Sequence, residues 1–516
     1  MIKYSCRNWS KGLNNIRVNN NQTIYSCKFA EPTKCHMNIF SSILDYSNLR
    51  KINCENDRPK IDKVEHVWMN YLSNKDFVGD FNILAYPLTN TIDFSFSKFE
   101  SEQDFANKIS ENINFLNDVN KMVESNSETF IIKKNDTVNI EINLKYNEEI
   151  STSRNQIIKE KNIPKLNNIL FIFIDKLSRP HFFRKMKLVS HFLEKFNENK
   201  NNNSSYETFQ FFKYQTFKSD YFESSIQTMF YNSTKHQTTD NKNMHILPFL
   251  KNNGYITGQS ANICSKEFFS DHLEREINFF KNTKIDEYDH ENVAMFCDPF
   301  YFDDSNEENS DTKNVKGITS AIKRCLYGKN SFEYVLDYGY QFWTKYQDSK
   351  KFLRLSFFEG NEKTGEVIKY LDYYLYKFLD NLYQNDLLNN TFIFLVSGQG
   401  NSYNDLYNSI NYLEYDFFIE KYLGTFFILF DKEGLNLTKD DLINIKNNQQ
   451  NMVTAYDIHY TIKSIAQNKF YSEAKEVKED NGENLGKSLF GFINSMERGC
   501  FKFKQIGIGV CRCYDF

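Results

Sequence analysis

The stretch from Asn167 to Met186, NNILFIFIDKLSRPHFFRKM, decides the fold. Six apolar residues from Ile169 to Ile174 run without a break into Asp175. A short, fully apolar run of this kind predicts a strand that is buried on both faces. In open α/β sheets the chemistry lies at the carboxyl ends of such strands, so Asp175 is the first candidate site residue. Ser178 is predicted to cap the helix that follows.

Much of the chain after this stretch repeats the scheme of strand, polar tip and helix. Further strands are predicted from Phe352 to Phe358, from Thr391 to Val396 and from Thr425 to Phe430. The segment from Thr364 to Leu388 has one apolar stripe at helical spacing. Strands that alternate with helices predict a mostly parallel sheet with helices on both faces. The polar tips at 175, 359–362 and 397–400 should then converge on one edge.

The chain is predicted to divide into two parts. Residues 1–160 form a smaller β-rich accessory region, and residues 161–516 form the main α/β domain with a Cys-rich C-terminal tail. Alternating residues from Thr129 to Lys145 predict a hairpin with its turn at Asn135 and Asp136. A helix is expected from Phe105 to Val123. This accessory region shows no catalytic constellation.

Charge and hydropathy exclude two classes of partner. The net charge of -4 gives no reason to expect nucleic acid, because a phosphate-binding surface needs clustered Lys and Arg. No apolar run reaches the length of a membrane span. The segment from Met1 to Ser10 lacks the apolar centre of a signal peptide. The chain is therefore either cytosolic or a processed ectodomain.

The ten cysteines favour the second of these locations, because they crowd toward the two ends of the chain. An even number in this arrangement predicts disulfides in an oxidising compartment, whereas ten free thiols would indicate the cytosol. Cys500 is expected to pair with Cys511 or Cys513. Sequons for N-glycosylation stand at Asn8, Asn21, Asn135, Asn202, Asn203, Asn232, Asn389 and Asn436. A secreted or membrane-associated glycoprotein is the prediction.

A series of motifs in fixed order resembles a known family. It includes IDKLSRPHFFRKM, GYITG, FCDPFY, NNTFIFLVSGQG, NQQNMVTAYDIHYTI and GKSLFGFINSMERGC, and it runs from about residue 165 to the C-terminus. These motifs are similar to those of the DUF229 group of the alkaline phosphatase and sulfatase superfamily. The resemblance implies a three-layer α/β/α sandwich of the alkaline phosphatase-like type. In active relatives it implies hydrolysis of phosphate or sulfate esters, with divalent metal ions and a Ser, Thr or modified Cys nucleophile.

Few of the residues that this chemistry needs are present at the matching positions. The first-strand Asp is kept as Asp175, and an acidic ligand is matched by Glu359. The family's His is replaced by Asn361. The S-D-H-G tetrapeptide is replaced by Ser397-Gly398-Gln399-Gly400, which removes both of its ligands. A later His falls near Lys421.

The nucleophile should lie in KSDYFESSIQT, at Ser224 or Ser225, although Phe222 or Glu223 could occupy its slot instead. Two of the nine histidines, His290 and His459, receive an interpretation of their own. His459 is interpreted as a packed core residue. The pair Asp289 and His290 stands in an acidic, irregular segment and is interpreted as part of a solvated loop.

The preferred hypothesis is a catalytically inactive member of the superfamily with a structural or binding role, an unknown protein or glycan partner and no cofactor. Asp175 and Glu359 are then remnant metal positions, and Lys176, Arg179 or Lys421 supplies the positive charge that the metal would bring. One alternative is an active hydrolase with a diverged site that uses Zn, Ca, Mg or Mn. Another is a glycan- or lipid-binding ectodomain whose old pocket is lined by aromatic residues and the amides of Asn361 and Gln399.

Overall fold

The computed structural model describes residues 15–18, 22–25, 54, 83–87, 128–134, 137–163, 167–197, 204–216, 229–230, 245–262, 288–292, 325–361, 367–400, 421–435, 437–470, 486–494 and 498. Its strands are β1 (Asn15–Val18), β2 (Gln22–Tyr25), β3 (Ile83–Pro87), β4 (Thr129–Lys134), β5 (Thr137–Ile142), β6 (Asn168–Ile174), β7 (Tyr206–Gln210), β8 (Lys213–Tyr214), β9 (Ile256–Ala261), β10 (His290–Asn292), β11 (Cys325–Leu326), β12 (Lys329–Asn330), β13 (Lys351–Phe357), β14 (Thr391–Val396), β15 (Phe426–Asp431) and β16 (Met452–Val453).

Its helices are α1 (Glu148–Glu160), α2 (Arg179–Lys185), α3 (Lys187–Lys195), α4 (Ile246–Asn252), α5 (Ser331–Lys345), α6 (Ile368–Gln384), α7 (Lys439–Asn448) and α8 (Ala455–Gln467). A 3-10 turn covers Glu359–Asn361. The helical pattern predicted after Ser178 is divided into α2 and α3 at Met186. Ser178 caps α2 as predicted, because its side chain accepts a hydrogen bond from the His181 backbone N–H. Within the ranges given above, no helix has the length and apolar character to span a membrane.

Seven strands of the described ranges form the main sheet, in the order β10-β9-β13-β6-β14-β15-β7. The strands from β10 to β14 are parallel to one another, while β15 is antiparallel to both β14 and β7. The central strand β6 therefore has a parallel neighbour on each side. Because β15 runs in the opposite direction, its first residues lie at the edge where the parallel strands end.

Alternate residues of β6 contribute to two separate apolar cores. Leu170, Ile172 and Ile174 pack in one core with residues of α2, α3, α5 and α6. Ile169 and Phe171 pack in the other core with residues of α4, α7 and α8. A sheet with a helical layer on each face is the three-layer α/β/α sandwich, so the predicted fold class is confirmed.

The β-rich N-terminal part includes a three-stranded antiparallel sheet in the order β3-β4-β5. The hairpin of β4 and β5 confirms the one predicted around Asn135 and Asp136. Beyond β5, Leu144 is buried in the same core as α5 and α6, and Gln341 of α5 donates a hydrogen bond to the Ile142 carbonyl. This region thus packs on one helical layer of the sandwich. The helix expected from Phe105 to Val123 lies outside the described residues, and the boundary at residue 160 stays a prediction.

A disulfide joins Cys54 to Cys325, across 271 positions of sequence. Both cysteines are buried, and Cys325 begins the short hairpin of β11 and β12 that leads into α5. The bond therefore ties the N-terminal part to the entrance of a core helix. The expected pairing of Cys500 lies outside the described residues.

Candidate functional site

Three strand tips meet where β13, β6 and β14 end. Ile174 pairs with Phe357 of β13, and Phe173 pairs with Val396 of β14. The Asp175 N–H donates to the Phe357 carbonyl over 2.9 Å. We call this place the carboxyl edge and define it by Asp175, Glu359, Gly360, Gly398 and Gln399. The predicted convergence of the three tips is confirmed.

Glycine at position 360 is required by the close approach of two tips. A Cβ atom there would collide with the carbonyl oxygen of Asp175. A backbone atom cannot move aside as the end of a side chain can, so a larger residue would push the tip of β13 away from that of β6. This glycine keeps Glu359 close to the end of the central strand.

Gly398 lies directly beside the carboxylate of Asp175. A Cβ atom at position 398 would lie 3.1 Å from Asp175 Oδ1 and 2.9 Å from Cζ of Phe173. Position 398 is thus close enough to Asp175 for the two residues to share a ligand, as the resemblance implied. The Phe173 ring, however, stands where a side chain at position 398 would begin. Gly398 offers no ligand atom of its own.

The other residues of the tetrapeptide after β14 fix the backbone or lie partly exposed. The Ser397 hydroxyl accepts a hydrogen bond from the Thr425 N–H over 2.8 Å, and the Ser397 carbonyl accepts one from the Tyr214 hydroxyl over 3.1 Å. Gly400 donates to the Lys421 carbonyl over 2.8 Å. Gln399 is half-buried between them. These bonds join the tip of β14 to the start of β15 and place the Lys421 backbone beside it.

Two lysines interact with the carboxyl edge. Burial lowers the pKa of Lys176, the carboxylate of Asp175 opposes this change, and the charge of Lys421 lowers the pKa further. Lys176 has a φ of 54°, in the left-handed region that lysine rarely adopts. Sparsely populated backbone conformations of this kind cluster at functional sites. Arg179, the other cation proposed from the sequence, stacks on the rings of Phe183 and Phe212.

Glu359 is buried in a ring of neutral hydrogen-bond donors. Its Oε1 accepts from the Asn262 amide and, at 3.4 Å, from the Ser331 hydroxyl. Its Oε2 is buried and meets no hydrogen-bond donor in the part of the chain that the structure describes. Burial raises the pKa of Glu359 to about 7, although the hydrogen bonds act in the opposite direction. This carboxyl group therefore lies near the midpoint of its titration at neutral pH.

Sequence reasoning did not identify Asn262 and Ser331. Asn262 follows β9, where its Oδ1 also accepts from the Phe358 N–H, and Ser331 begins α5. A polar residue at the end of a buried strand is a usable signal for Asn262, because GYIT already predicts the start of that strand. No local signal marks Ser331, since only the packing of α5 brings it to Glu359.

The described residues do not fit a divalent metal ion. Zinc, calcium, magnesium and manganese need several side chains that offer lone pairs, chiefly carboxylates and imidazoles. Within the described ranges, no three His, Cys, Asp or Glu side chains lie together as such a site requires. Gly398 supplies no donor, and the two lysine charges beside Asp175 repel a cation. Within the described ranges, the carboxyl edge therefore lacks the set of side-chain donors that such an ion needs.

Several predicted site residues fall outside the described part. These are Ser224 and Ser225, the candidate nucleophiles, with Phe222 and Glu223 beside them, and Glu362. The backbone of Asn361 ends the 3-10 turn after β13, but its side chain also lies outside. The roles proposed for these residues stay predictions.

The two His-bearing positions differ in outcome. His459 is buried in α8, where its Nδ1 hydrogen-bonds the Met229 carbonyl, and burial lowers its pKa to about 3. The interpretation as a packed histidine is confirmed. The solvated loop expected for Asp289 and His290 is wrong, because His290 begins the buried edge strand β10 and contacts Glu128 Oε1 at 2.8 Å. Asp289 pairs with Arg154 and Lys251. The partners of Asp289 and His290 are distant in sequence, so no local sequence pattern could predict these contacts.

Comparisons with known proteins give one family and a set of solved structures. The family described as "Protein of unknown function (DUF229)" matches residues 298–515. No curated protein matches the chain. The C-terminal periplasmic domain of EcEptC from Escherichia coli, in complex with Zn, is 10% identical, with 59% of this chain and 83% of that chain covered and a TM-score of 0.35.

Two further solved structures are similar at the same level. The lipoteichoic acid synthase LtaP from Listeria monocytogenes is 12% identical, with 66% of this chain and 80% of that chain covered and a TM-score of 0.38. A protein in the alkaline phosphatase superfamily from Vibrio parahaemolyticus is 14% identical, with 59% and 67% covered and a TM-score of 0.35. The match to the DUF229 family over residues 298–515 is to the same family that the ordered motifs resemble.

Proposed function

We propose that this protein is a catalytically inactive relative of the alkaline phosphatase and sulfatase-like hydrolases, with a structural or binding role. In this proposal the carboxyl edge has exchanged a bound cation for the lysine side chains of the chain itself. The partner is a protein or a glycan. The disulfide between Cys54 and Cys325 supports a location in the secretory pathway or on an ectodomain, because such bonds persist in oxidising compartments.

One observation carries the proposal, namely the surroundings of Gly398. The ligand position beside Asp175 lacks a side chain, and the Phe173 ring packs where one would begin. The missing ligand at position 398 therefore does not leave a cavity in which a metal ion could bind. Because apolar interiors are close-packed, the ring holds that space closed.

The charges at the edge support the same proposal. A metal-free carboxylate in a partly buried place needs a positive neighbour, since an uncompensated buried charge is costly. Lys176 supplies this charge at the cost of an unfavourable backbone conformation. On the next strand, Glu359 is surrounded by neutral donors, which stabilise a carboxyl group without a cation.

One observation favours the alternative, an active hydrolase with a diverged site. Glu359 Oε2 is buried and meets no donor among the described residues, and such an atom is able to bind an ion. Asp175 and Glu359 would then be two of the ligands, and the candidate serines would supply the nucleophile.

Metal content decides between the two functions. The folded chain is dialysed against trace zinc, calcium, magnesium and manganese and measured by elemental mass spectrometry, beside Asp175→Asn as the matched variant. We expect no stoichiometric metal in either protein and no hydrolysis of aryl phosphates or aryl sulfates. One bound metal per chain that is lost in Asp175→Asn, together with metal-dependent ester hydrolysis, would refute the proposal.

A further inference from the structure

The turn between α6 and β14 carries a sequon, Asn389-Asn390-Thr391. Of the eight sequons in the sequence, this is the one whose three positions all lie in the described ranges. Asn389 is exposed, while Leu388 and Thr391 on either side of the turn are buried. The asparagine is thus an exposed position flanked by buried residues of the turn and of β14.

The oxygen and the nitrogen of the Asn389 side-chain amide differ in their hydrogen bonding. Its Oδ1 accepts a hydrogen bond from the Tyr206 hydroxyl over 3.0 Å. Its Nδ2 makes no hydrogen bond to any residue within the described ranges. Because a sugar is attached through the nitrogen, attachment there would leave the bond to Tyr206 in place. The Thr391 hydroxyl donates to the Asn389 carbonyl over 3.1 Å, so the first and third residues of the sequon are hydrogen-bonded to each other in the folded chain.

We propose that Asn389 is N-glycosylated. In this step a new bond forms between Nδ2 and C1 of the first sugar of a lipid diphosphate-linked oligosaccharide. The bond from that C1 to the diphosphate oxygen breaks, the lipid diphosphate leaves, and Nδ2 loses one proton. The proposal rests on the secretory location inferred above from the buried disulfide between Cys54 and Cys325.

The position of Asn389 determines what the glycan does. β14 runs from Thr391 to the carboxyl edge, so its six residues separate the glycan from Asp175 and Gly398 by about 20 Å. The edge stays accessible to a partner. Tyr206, which contacts Asn389, is the first residue of β7, the last strand in the order of the main sheet. Residues 207–210 of β7 are buried, and the N–H groups of Thr208 and Gln210 already donate to the Phe196 carbonyl and to Gln449 Oε1, so the glycan lies at the end of a covered strand.

Site mapping on the intact chain tests the proposal. The full chain is secreted from eukaryotic cells, treated with a peptide N-glycosidase and digested, and conversion of Asn389 to aspartate is read by mass spectrometry. We expect conversion at this position in most molecules. If Asn389 is unmodified in most molecules of the folded, secreted protein, the proposal is overturned, whether or not other sequons are occupied.

Four variants separate the sequon from the fold. Asn389→Gln and Thr391→Val should each lose the gel shift of one glycan, whereas Asn390→Gln and Thr391→Ser, which keep the sequon, should retain it. An unchanged shift in both of the first two variants overturns the proposal. The mapping on the unaltered chain decides the question even where a variant fails to fold. Since metal content is a separate measurement, failure here leaves the proposed inactivity of the carboxyl edge untouched.

Discussion

Asp175 and Gly398 stand on adjacent strands, and a Cβ atom at position 398 would lie only 3.1 Å from Asp175 Oδ1. Gly398→Asp would therefore place a second carboxylate beside the first and displace the Phe173 ring. We expect the variant to lose about 1–3 kcal/mol of unfolding free energy through overpacking, with a further loss through charge repulsion. Chemical denaturation at neutral pH measures the change.

Gly398→Ala is the matched control for this variant, because it adds the same Cβ atom without the charge. The difference between the two variants isolates the repulsion from Asp175. Stabilisation of Gly398→Asp by zinc, without any effect on Gly398→Ala, would show that the metal position is still open and would contradict the proposed closure.

Glu359 predicts a pH dependence of stability. Its pKa is about 7 in the folded chain, against an ordinary value of 4.5, so the folded state binds more protons than the unfolded state between these limits. Stability should therefore fall as pH rises from 4.5 to 7. Glu359→Gln removes this contribution, and its stability relative to the unaltered chain should rise by roughly 3 kcal/mol across the window.

Denaturation curves at a series of pH values check this dependence. Glu433→Gln, which removes one carboxylate at an exposed position, serves as the matched control. If Glu359→Gln and the unaltered chain kept a constant difference from pH 4.5 to 7, the buried carboxyl group would not be titrating there.

Asp372 of α6 caps a helix to which it does not belong. Its two carboxylate oxygens accept hydrogen bonds of 2.9 Å from the N–H groups of Leu188 and Val189, in the first turn of α3. The N-cap residue of α3, Met186, makes no side-chain bond of its own. Asp372→Ala should therefore cost about 1–2 kcal/mol of unfolding free energy. Asp380→Ala, on the less buried side of the same helix, should change it by less than about 0.5 kcal/mol.

The disulfide between Cys54 and Cys325 should contribute strongly to stability, because it closes a long loop of the unfolded chain. We expect Cys54→Ser and Cys325→Ser each to lower the unfolding free energy by about 2–5 kcal/mol. The double variant should resemble either single one, since all three lack the same bond. A peptide map without reduction should contain the linked pair, and alkylation of both thiols in the unreduced, denatured chain would contradict it.

The sequence predicted those parts of the fold whose signal is local. The strands β6, β13 and β14 are buried on both faces, and mainly apolar runs such as Ile169–Ile174 allow such strands to be predicted from a few residues. The carboxyl edge was predicted because parallel strands have their carboxyl ends at the same edge of a sheet. For the same reason, Asp175, Glu359 and Gly398 were placed correctly relative to one another.

The remaining features depend on contacts that no short segment encodes. An apolar run does not reveal its direction, so the antiparallel course of β15 was not anticipated. Asn262 and Glu359 meet only because β9 and β13 are neighbours in the sheet. The partners of His290 likewise come from elements far away in the chain. Pairing of Cys54 with Cys325 was one of many arrangements that ten cysteines allow.

The strand order has a consequence for how the protein is made. The central strand β6 takes its two neighbours from β13 and β14, which are synthesised only after residue 350. While the chain grows, the run from Ile169 to Ile174 is an apolar segment of high β propensity without its native partners. Segments of this kind are aggregation hazards in incomplete chains. A nascent chain that stops after α5 therefore exposes the most apolar part of the main sheet before either native neighbour of β6 exists.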